Sequence, residues 1–389
     1  MFVYNDGMNE VEANGGHPPR IAVVSPRLPL DGAIGGAETL LLNLSRLLVG
    51  AGCDVTFLTT CSTNRDGKWT NDIPEGESLF DGLKVIRFPA DGGRLRGLGD
   101  VECPGLIDHL TSSSYDGVLA GPYLFGLVMS AVAAVPGRGF LVPCLHDEDN
   151  AREARVKETF KMAGGFCFNT PEERALAIRL YKGAVADKPM CVAGFAMPDF
   201  EADPAEGRRL AGTDAPYIIY CGRREPMKGT PLIIDYWAAF RECHKDIDLK
   251  LVLTGIGNVD VPEGCAGSLI DLGDVADERK RHDLMAGAVA FCHASVNESL
   301  GIVLLESWLA RRPVLVHASG EVLREQTKRA NGGLWFRDFA DFNECLELLL
   351  RDKHLSDAMG EAGRSFTLDE YSPSAVSSRL MALLGVRGI

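Results

Sequence analysis

Short apolar runs rich in Val, Ile, Leu and Phe alternate with longer amphipathic runs along almost the whole chain. The first is RIAVVSP, Arg20–Pro26, closed by a proline. A glycine-rich loop, LPLDGAIGGAE, follows it, then the amphipathic run TLLLNLSRLLVGAG and a second strand-like run, DVTFLTT. This pattern predicts a β-loop-α-β unit in which Gly52 stops the helix. KVIRF, YDGVLAG, GFLVPCLHD, GGFCFN and KPMCVAGF read as further buried parallel strands. Helices fall between some of them, over Leu124–Ala134, Arg152–Met162 and Pro171–Tyr181. Steady alternation of strand and helix predicts an α/β fold with a doubly wound parallel sheet.

The pattern stops at MPDFEADPAEGRRLAG, a polar stretch with prolines and glycines that reads as a linker over 198–212. It then restarts. YIIYCG, LKLVLTG, SLIDLG, AVAFCHAS and RPVLVHAS read as strands. PLIIDYWAAFREC, GIVLLESWLA, FADFNECLELLL with the segment after it, and SPSAVSSRLMALL read as helices. The expected organisation is a mobile tail over 1–18, one Rossmann-like domain over 19–197, a second over 213–372, and a terminal helix over 373–389. Two such domains imply a central cleft faced by the ends of both sheets.

A chain of 389 residues with 46% hydrophobic residues is long enough for two cores. The net charge of −14 divides into about −7 on each side of residue 200, which argues against nucleic acid as a partner. Eleven cysteines, an odd number with no CxxC pair, fit a reduced, cytoplasmic chain that uses them as small core residues. No apolar run approaches the ~20 residues needed to span a bilayer, and residues 1–18 lack signal-peptide character. AREARVKETFK carries Arg152, Arg155, Lys157 and Lys161 but also Glu153 and Glu158. It reads as a solvated face, with a weak peripheral contact at the inner membrane face as the other reading.

The strongest chemical signal is Asn297–Trp308, NESLGIVLLESW. Glu298 and Glu306 lie eight apart around a Ser-Leu-Gly turn, with Ser299 as the expected N-cap of a helix starting near Gly301. A helix N-terminus after a parallel strand favours phosphate through its free N–H groups and dipole, and Gly301 lets a ligand approach the backbone. Glu306 falls in the second turn, ~8 Å further along the axis. The two carboxylates are therefore placed to bind hydroxyls at opposite ends of a diphosphate. Cys221–Gly229, CGRREPMKG, adds Arg223 and Lys228 on the same sheet edge, where a fork and a point charge would neutralise a diphosphate without a metal. GGAE, Gly35–Glu38, opens the first helix and suits close approach to a phosphate or sugar, although its spacing is not GxGxxG. His146, in PCLHDED at a strand end, is placed to hydrogen-bond a sugar or move a proton. Asp147 and Asp149 form a DxD, but no second ligand cluster is visible in the sequence, and no metal is expected.

Together these segments resemble the family-4 retaining glycosyltransferases of the GT-B fold, the glycosyl transferases group 1. The resemblance runs from about Arg20 to the C-terminus and is strongest over Tyr217–Val316. It implies that Arg223 and Lys228 hold the donor diphosphate with the amides of Gly301, Ile302 and Val303. It places Glu298 and His146 on the donor sugar, with His146, Arg223, Lys228 and Glu298 as the catalytic set. Glu306 would take the ribose hydroxyls, Gly35 and Gly36 the β-phosphate side, and the backbone at Val275 the base. The final helix, from about Pro373, would cross back onto the first domain. The implied co-substrate is a UDP- or GDP-sugar, with no further cofactor, and the acceptor a glycan, glycolipid or small molecule. Two segments depart from the family pattern: Arg311-Arg312-Pro313 stands for Gly-x-Pro, and SGEVLREQ for Gly-Gly-x-x-Glu. A nucleotide-sugar-binding regulatory subunit and a sugar-nucleotide epimerase on the same fold remain as alternatives. An epimerase would need more acid–base groups than His146 offers, and a pyridoxal-phosphate phosphorylase would need a Schiff-base lysine, for which the sequence has no context. The acceptor-reading loops are expected over Asp66–Phe80 and Asp91–Pro104.

Overall fold

The computed structural model describes residues 17–29, 35–63, 69–91 and 101–386. Most of the expected N-terminal tail, residues 30–34 of the glycine loop, and parts of both candidate acceptor loops (66–68 and 92–100) lie outside the described residues.

The first half runs β1 (Arg20–Val24), α1 (Gly36–Gly50), β2 (Asp54–Thr60), β3 (Gly76–Phe80), β4 (Leu83–Phe88), α2 (Pro104–Ser112), β5 (Gly117–Ala120), α3 (Gly126–Ala134), β6 (Gly139–Leu141), α4 (Ala154–Met162), β7 (Gly165–Phe168), α5 (Pro171–Tyr181), α6 (Gly183–Ala186) and β8 (Met190–Val192). The second runs α7 (Pro204–Ala211), β9 (Tyr217–Cys221), α8 (Thr230–Cys243), β10 (Lys250–Thr254), β11 (Leu269–Asp271), α9 (Glu278–Gly287), β12 (Ala290–His293), α10 (Ile302–Leu309), β13 (Val314–His317), α11 (Glu321–Ala330), β14 (Gly333–Phe336), α12 (Phe339–Arg351), α13 (Lys353–Tyr371) and α14 (Pro373–Leu384). The first sheet has the order β3-β4-β2-β1-β5-β6-β7-β8 and the second β11-β10-β9-β12-β13-β14. All pairings are parallel except β3 with β4.

Both sheets are covered on both faces, which explains why their strands read as continuous apolar runs. In β1, Ala22 and Val24 enter one core while Ile21 and Val23 enter the other. In β9, Tyr217, Ile219 and Cys221 face one side and Ile218 and Tyr220 the opposite one. Each such large side chain contributes roughly 1.5–3 kcal/mol on burial.

The segment read as a linker contains α7. Its caps were legible: the Asp203 side chain accepts from the N–H groups of Ala205 and Glu206, Pro204 opens the helix, and Gly212 closes it in the left-handed region. Its apolar face is slight, so periodicity missed it. α9 and α11 escaped for a related reason. The buried face of α11 is Leu323, Gln326, Thr327 and Ala330, half of it polar. The wholly exposed edge strand β3, the short β14, and α2 were also unread.

α13 lies against α10, and α14 returns to the first half. Val376, Leu380 and Met381 of α14 join the core shared by β1 and α1, with the Met381 sulfur 3.9 Å from that of Cys53. The crossing is fixed by Met197 N–H donating to the Tyr371 carbonyl (2.7 Å) and by Arg364 on Asp199 (2.7 Å). No helix of the described residues is long and apolar enough to cross a membrane.

Candidate functional site

In the second sheet β9 pairs in parallel with β10 on one side and β12 on the other, so the order in which strands are added reverses between β9 and β12. Crevices at such switch points bind ligands in open α/β sheets. The loops leaving these two strands carry Arg223, Lys228, Glu298 and Glu306.

Gly229 lets the two loops meet. Its φ is +72°, and a Cβ there would lie 2.4 Å from the Ala294 carbonyl oxygen. With that approach, Lys228 Nζ donates to Glu298 Oε1 at 2.6 Å, and His293 Nε2 stands 3.4 Å from the same oxygen. Both partners are largely buried, at 23% and 14% side-chain exposure. Burial pushes the Glu298 carboxyl up, but the His293 hydrogen bond and the Lys228 charge outweigh it and hold the group well below the usual carboxylate range. Arg223 is half exposed and pairs with Glu225 at 3.0 Å. The sequence reading passed over its neighbour Arg224, which is buried and grips Asp271 with both arms, Nη1 to Oδ2 at 2.7 Å. That fork anchors the loop to the β11 end and leaves Arg223 and Lys228 toward the crevice.

The helix after β12 starts differently from the sequence expectation. Ser299 is not its N-cap. Gly301 caps α10 in the left-handed region, φ +83°, without a side-chain acceptor, so the N–H groups of the first turn gain no side-chain cap. Ser299 instead reaches across the cleft. Its carbonyl accepts from Thr170 Oγ1 at 3.1 Å, and its hydroxyl accepts from Asn169 Nδ2 at 3.3 Å. Glu306 is buried in the second turn and is held by Arg281, with Nη2 to Oε1 at 2.8 Å, and faces His282 at 3.7 Å. Burial raises its carboxyl, but His282 and Arg281 bring it below the usual value. Arg281 was not read as a site residue, because it lies on the polar helix α9. Val275 is half buried in the loop before α9.

From the first half, one pocket is lined by Leu145, His146 and Arg179 and, across the cleft, by Asn297, Glu298 and Glu321. Burial lowers the pKa of His146 below its ordinary 6.5, although Glu298 and Glu148 pull the other way. The imidazole is therefore neutral near pH 7 and able to accept or donate a single hydrogen bond. The DxD does not form a metal cluster with its own neighbours: Arg152 and Arg179 take separate oxygens of Asp147, at 2.5 and 3.1 Å. Glu278, His282 and Glu306 do bring ligand atoms within 4.8 Å of one another, a group the sequence did not suggest. The Arg281 guanidinium already occupies the Glu306 carboxylate there and opposes a cation. Gly35 ends the loop before α1 as the helix N-cap, and a side chain at Gly36 would meet nothing within 4 Å.

The two departures have physical explanations. Arg311 adopts φ +60°, the conformation that glycine takes easily, and pairs with Glu361. Glu321 and Val322 stand at the pocket rim at the start of α11. The charges of α4 and its approach are matched locally, Arg155 with Glu153 and Lys161 with Glu158.

Residues 205–366 match the family model described as Glycosyl transferases group 1. The D-inositol 3-phosphate glycosyltransferase of Kribbella flavida is 26% identical, over 88% of this chain and 90% of that protein. The phosphatidyl-myo-inositol mannosyltransferase of Mycobacterium leprae is 31% identical over 42% of this chain and 45% of its own length. Among solved structures, a sucrose-phosphate synthase from Thermosynechococcus elongatus superposes with a TM-score of 0.72 at 16% identity, covering 94% of this chain and 98% of that one. Anabaena HepE in complex with UDP superposes at 0.69 and 15% identity, covering 94% and 99%. The chain thus has the GT-B fold of two largely parallel sheets, and its residues 205–366 are similar to the glycosyl transferases group 1.

Proposed function

We propose that the protein moves a sugar from a nucleoside-diphosphate sugar to an acceptor hydroxyl, with retention of the anomeric configuration and without a metal. The observation that carries this reading is the Lys228–Glu298 pair, set at the N-terminus of α10 and at the strand switch between β9 and β12. A diphosphate arriving there draws Lys228 away from Glu298. The cation then neutralises the leaving group together with Arg223 and the amides of Gly301, Ile302 and Val303. Glu298, released, accepts from a hydroxyl of the donor sugar. Glu306 takes the ribose hydroxyls, the backbone at Val275 contacts the base, and Gly35 and Gly36 admit the β-phosphate from the other side.

The acceptor hydroxyl attacks the anomeric carbon on the face the diphosphate is leaving, and a diphosphate oxygen takes its proton. Neutral His146 hydrogen-bonds the donor sugar. The protein thus supplies positioning and charge stabilisation, and the closed cleft excludes water. UDP or GDP is the donor nucleotide, and solved neighbours that hold UDP and UDP-glucose support the choice of UDP. The first domain, 19–197, takes the acceptor and the second, 213–372, the donor. Relatives named for D-inositol 3-phosphate and phosphatidyl-myo-inositol support a polyol or glycolipid acceptor, reached from the cytoplasm at the inner membrane face.

The test is a thermal-shift screen against UDP, GDP, ADP, CMP and dTDP, with EDTA and then with magnesium. Binding to the folded state raises the melting temperature by mass action, by about 2.7 kcal/mol of stability at a hundredfold excess over Kd. The reading expects a shift with one nucleotide that EDTA leaves unchanged and that Glu306→Ala abolishes. A shift that needs magnesium, or that persists in Glu306→Ala, refutes the assigned site.

A further inference from the structure

Glu173 is 1% exposed, and no ion pair to it exists among the described residues. It lies at the third position of α5, in the sequence Thr-Pro-Glu-Glu. The Thr170 hydroxyl accepts the Glu173 N–H at 3.1 Å, as a helix cap does. In the reciprocal capping arrangement the glutamate would reach back to the N–H of the cap residue itself. Here it does not. Its Oε1 accepts from Leu145 N–H and its Oε2 from Asn169 N–H, both at 2.6 Å, and the N–H of Cys144 also points at it. One carboxyl therefore joins the ends of two neighbouring strands, β6 and β7.

What those strand ends carry gives the bond its meaning. Cys144 has φ +52°, a turn that a non-glycine residue adopts at a cost of roughly 1–2 kcal/mol. That turn directs the chain so that His146, two residues on, lines the pocket opposite Glu298. Asn169 and Thr170 make the two hydrogen bonds to Ser299, the residue next to Glu298. The His146 turn and the cross-cleft contact to Ser299 thus depend on the same buried side chain, which itself lines the pocket beside Leu145 and His146.

We infer that Glu173 is a positioning residue, which clamps the His146 turn and the Asn169–Thr170 contact together so that the wall of the first domain is set against Glu298. This rests on the reading of His146 as the group beside the donor sugar. The alternative is a carboxyl that merely stabilises α5.

The test uses the full chain with Glu173→Ala and Glu173→Gln. The Gln side chain keeps the volume but offers one amide oxygen to several N–H donors, so it carries the test even where the Ala variant does not fold. The first readout needs no turnover: the His146 imidazole resonance, assigned by its loss in His146→Asn, is followed through a pH titration by NMR. The clamp expects the resonance to move and its titration to shift toward that of an ordinary histidine in the Glu173 variants. The second readout is kinetic. A reacting group displaced by about 1 Å costs roughly 10²-fold, so kcat should fall by that order in Glu173→Ala while the donor KM stays within threefold. In a His146→Ala background the further loss from Glu173→Ala should be under threefold, since both changes act on one contact. An unmoved His146 resonance in variants of lowered melting temperature overturns the inference, as does a full multiplicative loss in the double variant. If wild type moves no sugar from any nucleotide-sugar, the proposed function fails, and the NMR readout still decides the clamp.

Discussion

Replacing Lys228 by Ala should separate catalysis from folding. The wild-type pair spans 2.6 Å, with 23% of the Lys228 and 14% of the Glu298 side chain exposed. Removing one partner of a fully buried pair costs about 3–5 kcal/mol, and an exposed pair contributes 0–1 kcal/mol or so. This pair lies between those limits, and His293 stays 3.4 Å from the orphaned carboxylate to share its charge. A folding cost of roughly 1–2 kcal/mol follows, a shift of no more than about 8 °C at the ~2–4 °C per kcal/mol of a large domain. Loss of one preorganised donor to developing charge costs ~10²–10³ in kcat. Nucleotide release from the donor, measured beside a melting curve, should therefore fall at least a hundredfold in a variant that stays folded at assay temperature. The sign with pH is also fixed. The folded Glu298 carboxyl is depressed below its ordinary 4.5, so its contribution to stability is present above that value and fades only as pH falls through the lower, folded one. The stability gap between wild type and Lys228→Ala should stay level from pH 6 to 8. Turnover within threefold of wild type would refute the charge-exchange argument.

Two further predictions concern stability. Gly301→Ala places a methyl 2.5 Å from Leu323 Cδ2 at φ +83°, and should cost roughly 2–4 kcal/mol in urea unfolding, from backbone strain and overpacking together; a loss under about 0.5 kcal/mol would refute the geometry of the helix start. Burial pushes the Glu173 carboxyl up to about 8 against an ordinary 4.5, so the folded state holds a proton that the unfolded state has lost. Its contribution is full below 4.5 and falls as pH rises to 8, so wild type should lose stability relative to Glu173→Gln across that window, by at most roughly 4–5 kcal/mol. Parallel pH profiles for the two proteins would contradict it.

The features legible in the sequence were those with strong local causes. Strands buried on both faces appear as apolar runs, so the parallel sheets were readable from RIAVV and YIIYC. Glu298, Glu306, Arg223 and Lys228 were readable because they lie close in sequence to two strand ends. Partners brought in by packing were not readable. Arg281 reaches Glu306 from a polar helix 25 residues earlier, Asn169 and Thr170 reach Ser299 across the cleft, and Glu173 looks like an ordinary capping glutamate. Ser299 was misread as a cap because Ser is a frequent N-cap, whereas the left-handed backbone at Gly301 fixes the helix start two residues later.

The most direct test of the central claim is nucleotide release from purified protein in excess EDTA, with a panel of UDP- and GDP-sugars and inositol- or polyol-bearing acceptors. The product anomer is read by NMR coupling constants. The account predicts acceptor-dependent release with one donor, a product of retained configuration, and loss of both in Lys228→Ala and Glu298→Ala. Tight nucleotide binding with no release from any donor, or a product of inverted configuration, would contradict it.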